Sequence, residues 1–289
     1  MSPGREMLLH LKNRDIDLEE KVVVMGVLNL TPDSFYDGGR YTREAQALRR
    51  VEEMIGEGAD IIDVGGESVR PGAEPISLDE ELSRVIPVIE KVRGLFPITI
   101  SIDTYKAEVA RQAIEKGAEM VNDISGLRFD PDLRKIVAGY GVPLILMHIK
   151  GTPKNMQDNP RYHSLMEEII SYLRKSIKLA EESGVDPARI IVDPGIGFGK
   201  TTAHNLEILR RLEELKSLGK PILVGLSRKS FIGNVLGLPQ EERLEGGLAA
   251  TSMAVSGGAR IVRTHDVKST RRAVDMVQAI LRGSDQRYG

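Results

Sequence analysis

Arg263 and His265 lie two residues apart in ARIVRTHD (259–266), at the end of a run that reads as a β-strand. The strand's period of two turns both side chains to one side. A guanidinium beside an imidazole suits a phosphate, and Asn29, which follows another strand-like run, adds an oxygen for that phosphate or its metal. Asp103, Asn122 and Asp193 also close apolar runs. Together they offer donors and acceptors that match a flat heterocycle with amide-like edges. Lys229 and Ser230 open the second half of SRKSFIG (227–233), where a helix start would favour an anion.

VDPGIGFGKTT (192–202) imitates two phosphate loops and matches neither. Gly199, Lys200 and Thr201 fit the end of G-x-x-x-x-G-K-[ST], but the position five before Gly199 is Pro194, which has no N–H to give an anion. The spacing G-x-G-x-G also fails the dinucleotide pattern. The residue of interest there is Asp193. Further polar residues follow the other apolar runs: Glu67 and Arg70, Asp123, His148, Ser227 and Arg228. Any one of them could be a helix cap or a loop hydrogen bond. The histidines show no zinc spacing: His10, His163 and His204 read as surface residues, and His148 as a structural or pocket-wall residue. Ser227 lacks the setting of a nucleophile elbow.

These residues need elements to hold them. Eight short, mostly β-branched runs cover 22–28, 60–64, 98–102, 119–122, 143–147, 189–192, 221–225 and 259–262. Continuous apolar runs suit parallel strands covered on both faces. Helical stripes lie between them. Ser77-Leu78-Asp79-Glu80 reads as a capping box, followed by Leu82, Val85, Ile86, Ile89 and Val92 with a kink at Pro87. Val109, Ala113 and Ile114 form a stripe ended by Gly117. Leu165, Ile169, Leu173, Ile177 and Ala180 form one ended near Gly184. Leu206, Leu209, Leu212 and Leu215 form one ended by Gly219. Eight strand–helix repeats predict an α/β fold, a (β/α)8 TIM barrel, with the polar run ends gathered on its C-terminal face. A doubly wound sheet would want a true glycine fingerprint after its first strand. Residues 1–21 read as an extension capping the barrel bottom, and 22–289 as the barrel domain.

Composition narrows the function. A net charge of -2 with both signs mixed gives no footprint for nucleic acid, and the absence of tryptophan weighs against stacking platforms. With no cysteine, thiolate chemistry and disulfides are excluded. No apolar run approaches a membrane span, and the start lacks a long apolar stretch, so a cytoplasmic protein is expected.

Eight segments, in order, resemble the dihydropteroate synthase family: GVLNLTPDSFYDGG (26–39), DVGGESVRPGA (63–73), ISIDTY (100–105), VNDISG (121–126), LMHIKGTPKNMQ (146–157), VDPGIGFGK (192–200), GLSRKSFIG (225–233) and RTHDV (263–267). The resemblance implies a barrel that condenses (7,8-dihydropterin-6-yl)methyl diphosphate with 4-aminobenzoate, giving 7,8-dihydropteroate and diphosphate. It implies that Asp103, Asn122, Asp193 and Lys229 contact the pterin, that Met147 and Phe198 line its pocket, and that Arg263 stacks on the ring. It places Mg2+ on Asn29 and the diphosphate on Arg263 and His265. Phe35, Arg70, Pro71 and Ser230 would surround the aminobenzoate. Within this scheme Asp103 is assigned to steady a developing cation, beside Lys229, Arg263 and His265 as catalytic groups. Val69 departs from the pattern, since a hydroxyl residue is expected after Glu67-Ser68. A pterin-binding methyltransferase using methyltetrahydrofolate shares the barrel but needs no diphosphate set. A sugar-phosphate aldolase or isomerase, with Lys229 as a Schiff base, would want that lysine within its strand. A non-catalytic ligand-binding barrel leaves eight polar strand ends without purpose. The small-residue segment 246–259 suits a homodimer interface or ordinary packing on the barrel.

Overall fold

The structure is a computed structural model that describes residues 7–11, 14–31 and 40–283. Eight parallel strands close into a barrel: β3 (Val23–Asn29), β4 (Ile61–Gly65), β5 (Thr99–Asp103), β6 (Met120–Asp123), β7 (Leu144–Met147), β8 (Ile190–Asp193), β9 (Ile222–Gly225) and β10 (Ala259–Thr264). β10 pairs with β3 to complete the ring. Helices α1 (Arg40–Gly56), α2 (Leu78–Leu95), α3 (Ala107–Glu115), α4 (Leu133–Tyr140), α5 (Leu165–Glu182), α6 (Thr202–Arg210), α7 (Ser230–Leu236), α8 (Leu244–Ser256) and α9 (Val267–Arg282) carry the chain between and after the strands. Before the barrel, β1 (Leu8–His10) and β2 (Asp15–Asp17) form an antiparallel hairpin.

Alternation along the strands explains both the core and the site. Val24, Leu28, Ile62, Ile100, Val121, Leu144, Val192, Val224 and Val262 point outward into the cluster shared with the helices. Their neighbours point inward. Val23, Met25, Ile61, Met120, Ile145, Ile191, Leu223 and Ile261 form an interior apolar layer, joined by Leu9, Leu11 and Leu18 of the hairpin region. One pleat further along most of the same strands, the inward residues become Val27, Asp63, Asn122, Met147, Asp193, Gly225 and Arg263. β5 contributes Ser101 and Asp103. The polar layer therefore rests on a mostly apolar floor, to which β5 adds Thr99.

Local signals behave unevenly. Ser77 caps α2 by accepting from Glu80 N at 3.2 Å, but the Glu80 side chain pairs with Arg84 instead of reaching back, so only half the capping box forms. Pro87 lies inside α2, which continues to Leu95. The leucine stripe of 206–215 is not one helix. α6 ends at Arg210, and a 3-10 segment, Leu212–Leu218, follows and closes at Gly219 with φ 63°. Within α6 the buried face is Asn205 and Ile208 while Leu206 is 45% exposed, and the 3-10 segment buries Leu212 and Leu215.

Small residues in α8 serve packing. A Cβ on Gly246 would meet Ile232 Cγ2 at 2.5 Å, so glycine lets α8 approach α7. No helix among the described residues is long and apolar enough to cross a membrane.

Candidate active site

Arg263 is the hub of the polar layer. Its Nε donates to Asp63 Oδ2 at 2.6 Å and its Nη2 to Asp103 Oδ2 at 2.7 Å. Asn122 Nδ2 also donates to Asp63 Oδ2, at 3.1 Å. Asp63 is fully buried, and its Oδ1 has no hydrogen-bond partner among the described residues. Burial pushes Asp103 up to about 7, against the opposing pull of Arg263. Burial would weaken the charge on Arg263 too, but the two carboxylates outweigh it and hold the guanidinium protonated. Asp63 was absent from the residues expected at the site. Its signal was a carboxylate inside an apolar strand at the inward parity of Ile61, a position that requires a partner.

The neighbouring wall comes from the loops after β7, β8 and β9. Asp193 Oδ1 accepts from Gly195 N at 2.7 Å, and burial pushes its carboxyl up to about 6. Lys229 Nζ stands 4.3 Å from the centroid of the Phe198 ring. Burial, aided by Arg263, brings its amine down to about 8. Met147 pairs in register with Asp193 and packs with Ile124, Ile149 and Met156, with Phe198 and Val69 against them.

The glycines of GIGFGK serve this wall and not a phosphate. The Gly195 N–H is taken by Asp193, and the Gly197 N–H by Asn205 Oδ1 at 2.8 Å, so neither is free to cradle an anion. A Cβ on Gly195 would lie 1.9 Å from the His148 carbonyl oxygen, and one on Gly199 would lie 2.5 Å from that of Lys150. Glycine is what allows the two loops to touch backbone to backbone. Lys200, the lysine of the apparent phosphate motif, is buried and donates to the Phe198 carbonyl at 3.0 Å.

On the other side, Gly65 leaves a gap between Asn29 and Asp103. A Cβ there would lie 3.7 Å from Asn29 Oδ1 and 3.6 Å from Asp103 Oδ2. His265 Nδ1 lies 3.2 Å from Ser227 Oγ, which lies 3.2 Å from Asp266 Oδ2. The serine thus sits between histidine and carboxylate, the wrong order for a nucleophilic triad. Burial, then Arg263, pushes His265 down to about 4, so it is neutral at pH 7.

Asp103, Asn122, Met147, Asp193, Phe198, Lys229, Arg263 and His265 line one cavity, with Val27, Val69, Ile124 and Ile196 among its apolar walls. Arg70 and Pro71 are exposed on the loop after β4, and Ser230 is exposed at the start of α7. Phe35 lies outside the described residues. Several other polar strand ends are turned away. Glu67 accepts from Lys106 Nζ at 2.7 Å and from Tyr105 Oη at 2.9 Å, which anchors the β4 loop. Asp123 takes the N–H groups of Ser125 and Leu127 in a turn. His148 faces Lys200 at 2.8 Å and Tyr172, 4.6 Å between ring centroids. His204 lies at the surface, partly covered, where it completes a capping box with Thr201 at the start of α6. A larger hollow bordered by Gly117 and Arg189 has Arg93 paired with Glu119 and gathers no comparable set.

The sequence profile of the pterin binding enzyme family matches residues 25–265. A dihydropteroate synthase of Clostridium beijerinckii is 49% identical over 275 residues, covering 95% of this chain and 100% of that protein. The crystal structure of the Yersinia pestis dihydropteroate synthase with a sulfonamide drug complex superposes with a TM-score of 0.90 at 42% identity, covering 96% of this chain and 100% of the other. The Xanthomonas albilineans dihydropteroate synthase with 4-aminobenzoic acid gives a TM-score of 0.90 at 41% identity, covering 97% and 100%.

Proposed function

The chain belongs to the pterin-binding enzyme family, and from that premise we propose that it joins (7,8-dihydropterin-6-yl)methyl diphosphate to 4-aminobenzoate, yielding 7,8-dihydropteroate and diphosphate for folate synthesis. One observation carries the reading at the level of the site. A guanidinium, Arg263, is clamped between Asp63 and Asp103 in a cavity whose other polar groups include Asn122, Asp193 and Lys229. That set offers a pterin edge both donors and acceptors.

In this reading Asp103, Asn122, Asp193 and Lys229 hold the pterin edge, and Met147 and Phe198 flank the ring. Arg263 uses two of its five N–H groups on carboxylates. Three N–H groups and the flat face remain for the ring and the leaving diphosphate. His265 meets the same diphosphate; with Nδ1 turned to Ser227, its Nε2 is the nitrogen left for it. Arg70 and Pro71 cover the aminobenzoate, with Phe35 in the same role and Ser230 near its carboxylate.

The methylene carbon–oxygen bond breaks, a carbon–nitrogen bond forms, and the arylamine gives up a proton after attack. An arylamine is neutral at pH 7, so no strong base is required. The barrier lies in the charge gathering on the leaving oxygen, which Arg263 stabilises from a fixed position. The sequence reading gave Asp103 the task of steadying a cation. Asp103 is already bound by Arg263, so its field on the ring is partly cancelled, and its larger effect is to fix the guanidinium.

Magnesium belongs to the proposal. Among the described residues no group of three or more His, Cys, Asp or Glu could hold a metal, and Asn29 offers one oxygen. So sparse a donor set fits a hard ion that keeps most of its waters and takes further ligands from a diphosphate. When bound, the ion neutralises charge on the leaving group.

We place the enzyme in the cytoplasm, since its diphosphate substrate is too charged to cross a bilayer unaided. We also propose a homodimer through α8 and α9, where Met253, Met276, Ile280 and Leu281 are each more than half exposed. Light scattering tests this, and a monomer at micromolar concentration overturns it. The activity is tested by measuring diphosphate release together with 7,8-dihydropteroate formation. Arg263→Ala is expected to lower turnover about 10²–10³-fold. Absence of product from the folded parent enzyme overturns the reading.

A further inference from the structure

Lys200 is the lysine that imitates a phosphate-loop residue, and nothing in the proposed reaction uses it. It is 3% exposed. Its hydrogen-bond partners are an imidazole and a carbonyl, with His148 Nδ1 at 2.8 Å and Phe198 O at 3.0 Å, and no carboxylate is among them. Burial drives the amine well below its usual value, and the His148 imidazole likewise. The charge of Asp193 offsets only part of the cost of burying this amine, and an apolar side chain of the same length would avoid that cost.

The geometry shows what the amine does. A carbonyl only accepts, so Phe198 O takes one Lys200 N–H; a neutral His148 with its proton on Nε2 takes another at Nδ1. Both ends of this bridge are themselves fixed. The His148 ring meets Tyr172 edge-on, and the Tyr172 hydroxyl donates to Ser125 O at 2.6 Å. His148 N donates to Asp193 O at 3.0 Å. Phe198, at the other end, presents its ring to Lys229 and to the cavity. The bridge therefore ties the loop after β7 to the loop after β8, directly behind the wall made by Met147 and Phe198.

We propose that Lys200 is a positioning residue for the pterin pocket: by bridging Phe198 O to the His148 ring it holds the Phe198 ring and the end of β7 at the separation a flat ring requires. The inference rests on the reading of this cavity as the pterin site. Displacement of a binding wall by about 1 Å is enough to cost two orders of magnitude in rate. Partial relaxation here is expected to weaken pterin binding about tenfold.

The test compares Lys200→Met, which keeps the stem and drops the donors, with Lys200→Gln, which keeps an N–H donor. Binding of the non-reacting 6-hydroxymethylpterin is measured by calorimetry, steady-state constants for both substrates are determined, and thermal melting is followed on the full chain. The expected result is a roughly tenfold loss of pterin affinity in Lys200→Met, with a matching rise in KM for the pterin diphosphate. KM for 4-aminobenzoate stays within twofold of the parent, and Tm is equal or higher. Lys200→Gln is expected to fall between the two. Pterin affinity within twofold of the parent in Lys200→Met overturns the proposal, as does a loss of affinity that tracks a loss of Tm. Asp193→Asn is the control for the premise. If it leaves 6-hydroxymethylpterin binding unchanged, the cavity is not the pterin site and the proposal falls with it.

Discussion

Asp63→Asn is the sharpest probe of the polar layer, because Asp63 is the buried anchor of Arg263. The substitution keeps shape and one acceptor oxygen while removing the charge. In the parent enzyme Asp63 Oδ2 receives both Arg263 Nε at 2.6 Å and Asn122 Nδ2 at 3.1 Å. Breaking a buried ion pair outright costs about 3–5 kcal/mol. The loss here is smaller, since Arg263 keeps Asp103 at 2.7 Å and the new amide oxygen can still accept. What disappears is the charge assistance of that hydrogen bond, the difference between a charged bond of about 1.5–3 kcal/mol and a neutral one of about 0.5–1.5, or about 1–1.5 kcal/mol. If that loss falls on the transition state, kcat/KM for the pterin diphosphate drops about 5- to 13-fold. The new amide N–H also enters the space of Oδ1, which has no partner among the described residues, so Tm should fall by several degrees. KM for 4-aminobenzoate should stay near the parent value. Steady-state kinetics with each substrate varied in turn, alongside melting curves, measure all of this. Activity within threefold of the parent with an unchanged Tm would show that Asp63 does not hold Arg263 in the working enzyme.

Three further outcomes are expected. The free-enzyme profile of log kcat/KM for the pterin diphosphate should fall as pH drops, because Asp103 at about 7 and Asp193 at about 6 act as carboxylates and take up protons in that range. It should fall again above about 8 as Lys229 loses its charge, and Asp103→Asn should remove the limb near pH 7; a flat profile from pH 5 to 9 refutes this. Val69 lines the cavity and packs against Met147 and Phe198, so Val69→Thr should shift KM for the pterin diphosphate by no more than about tenfold, the range of one net hydrogen bond. A selective change in 4-aminobenzoate KM would put Val69 on the wrong side of the site. Sulfonamides should compete with 4-aminobenzoate, as mimics of its shape and charge; full inhibition that is insensitive to 4-aminobenzoate concentration contradicts that.

The fold was legible because the strands announce themselves. Each apolar run falls within a residue or two of its barrel strand, from Val23–Asn29 to Ala259–Thr264. The site was legible only in part. A polar residue at a strand end is a common signal, and parity within the strand decides its direction. Asn122 shares the inward parity of Met120, whereas Asp123 is one residue out of phase and closes a turn instead. Parity would have found Asp63 as well, but it lies inside its strand, where a search of strand ends does not look. Glu67 and His148 required tertiary information, since their partners Lys106 and Lys200 come from distant segments. The leucine stripe misled because periodicity cannot show where an α-helix gives way to a tighter turn.

The apolar layer beneath Asp63, Asn122 and Arg263 sets a limit on what the cavity can become. Side chains reach the barrel interior once per pleat, so its depth changes in steps of about 6.6 Å. The interior below is filled by eight buried apolar side chains, from Val23 to Ile261, sealed underneath by Leu9, Leu11 and Leu18. Opening a step there by truncating one of them would cost about 2–5 kcal/mol and give a narrow shaft, not a wider room. Ligands for this barrel can therefore lengthen in one direction only, outward through the mouth. If the cavity holds the pterin head as proposed, that head is read by a layer with nowhere to move, and selectivity among compounds sharing it falls to what surrounds the mouth, the loop after β4 with Val69, Arg70 and Pro71 among it.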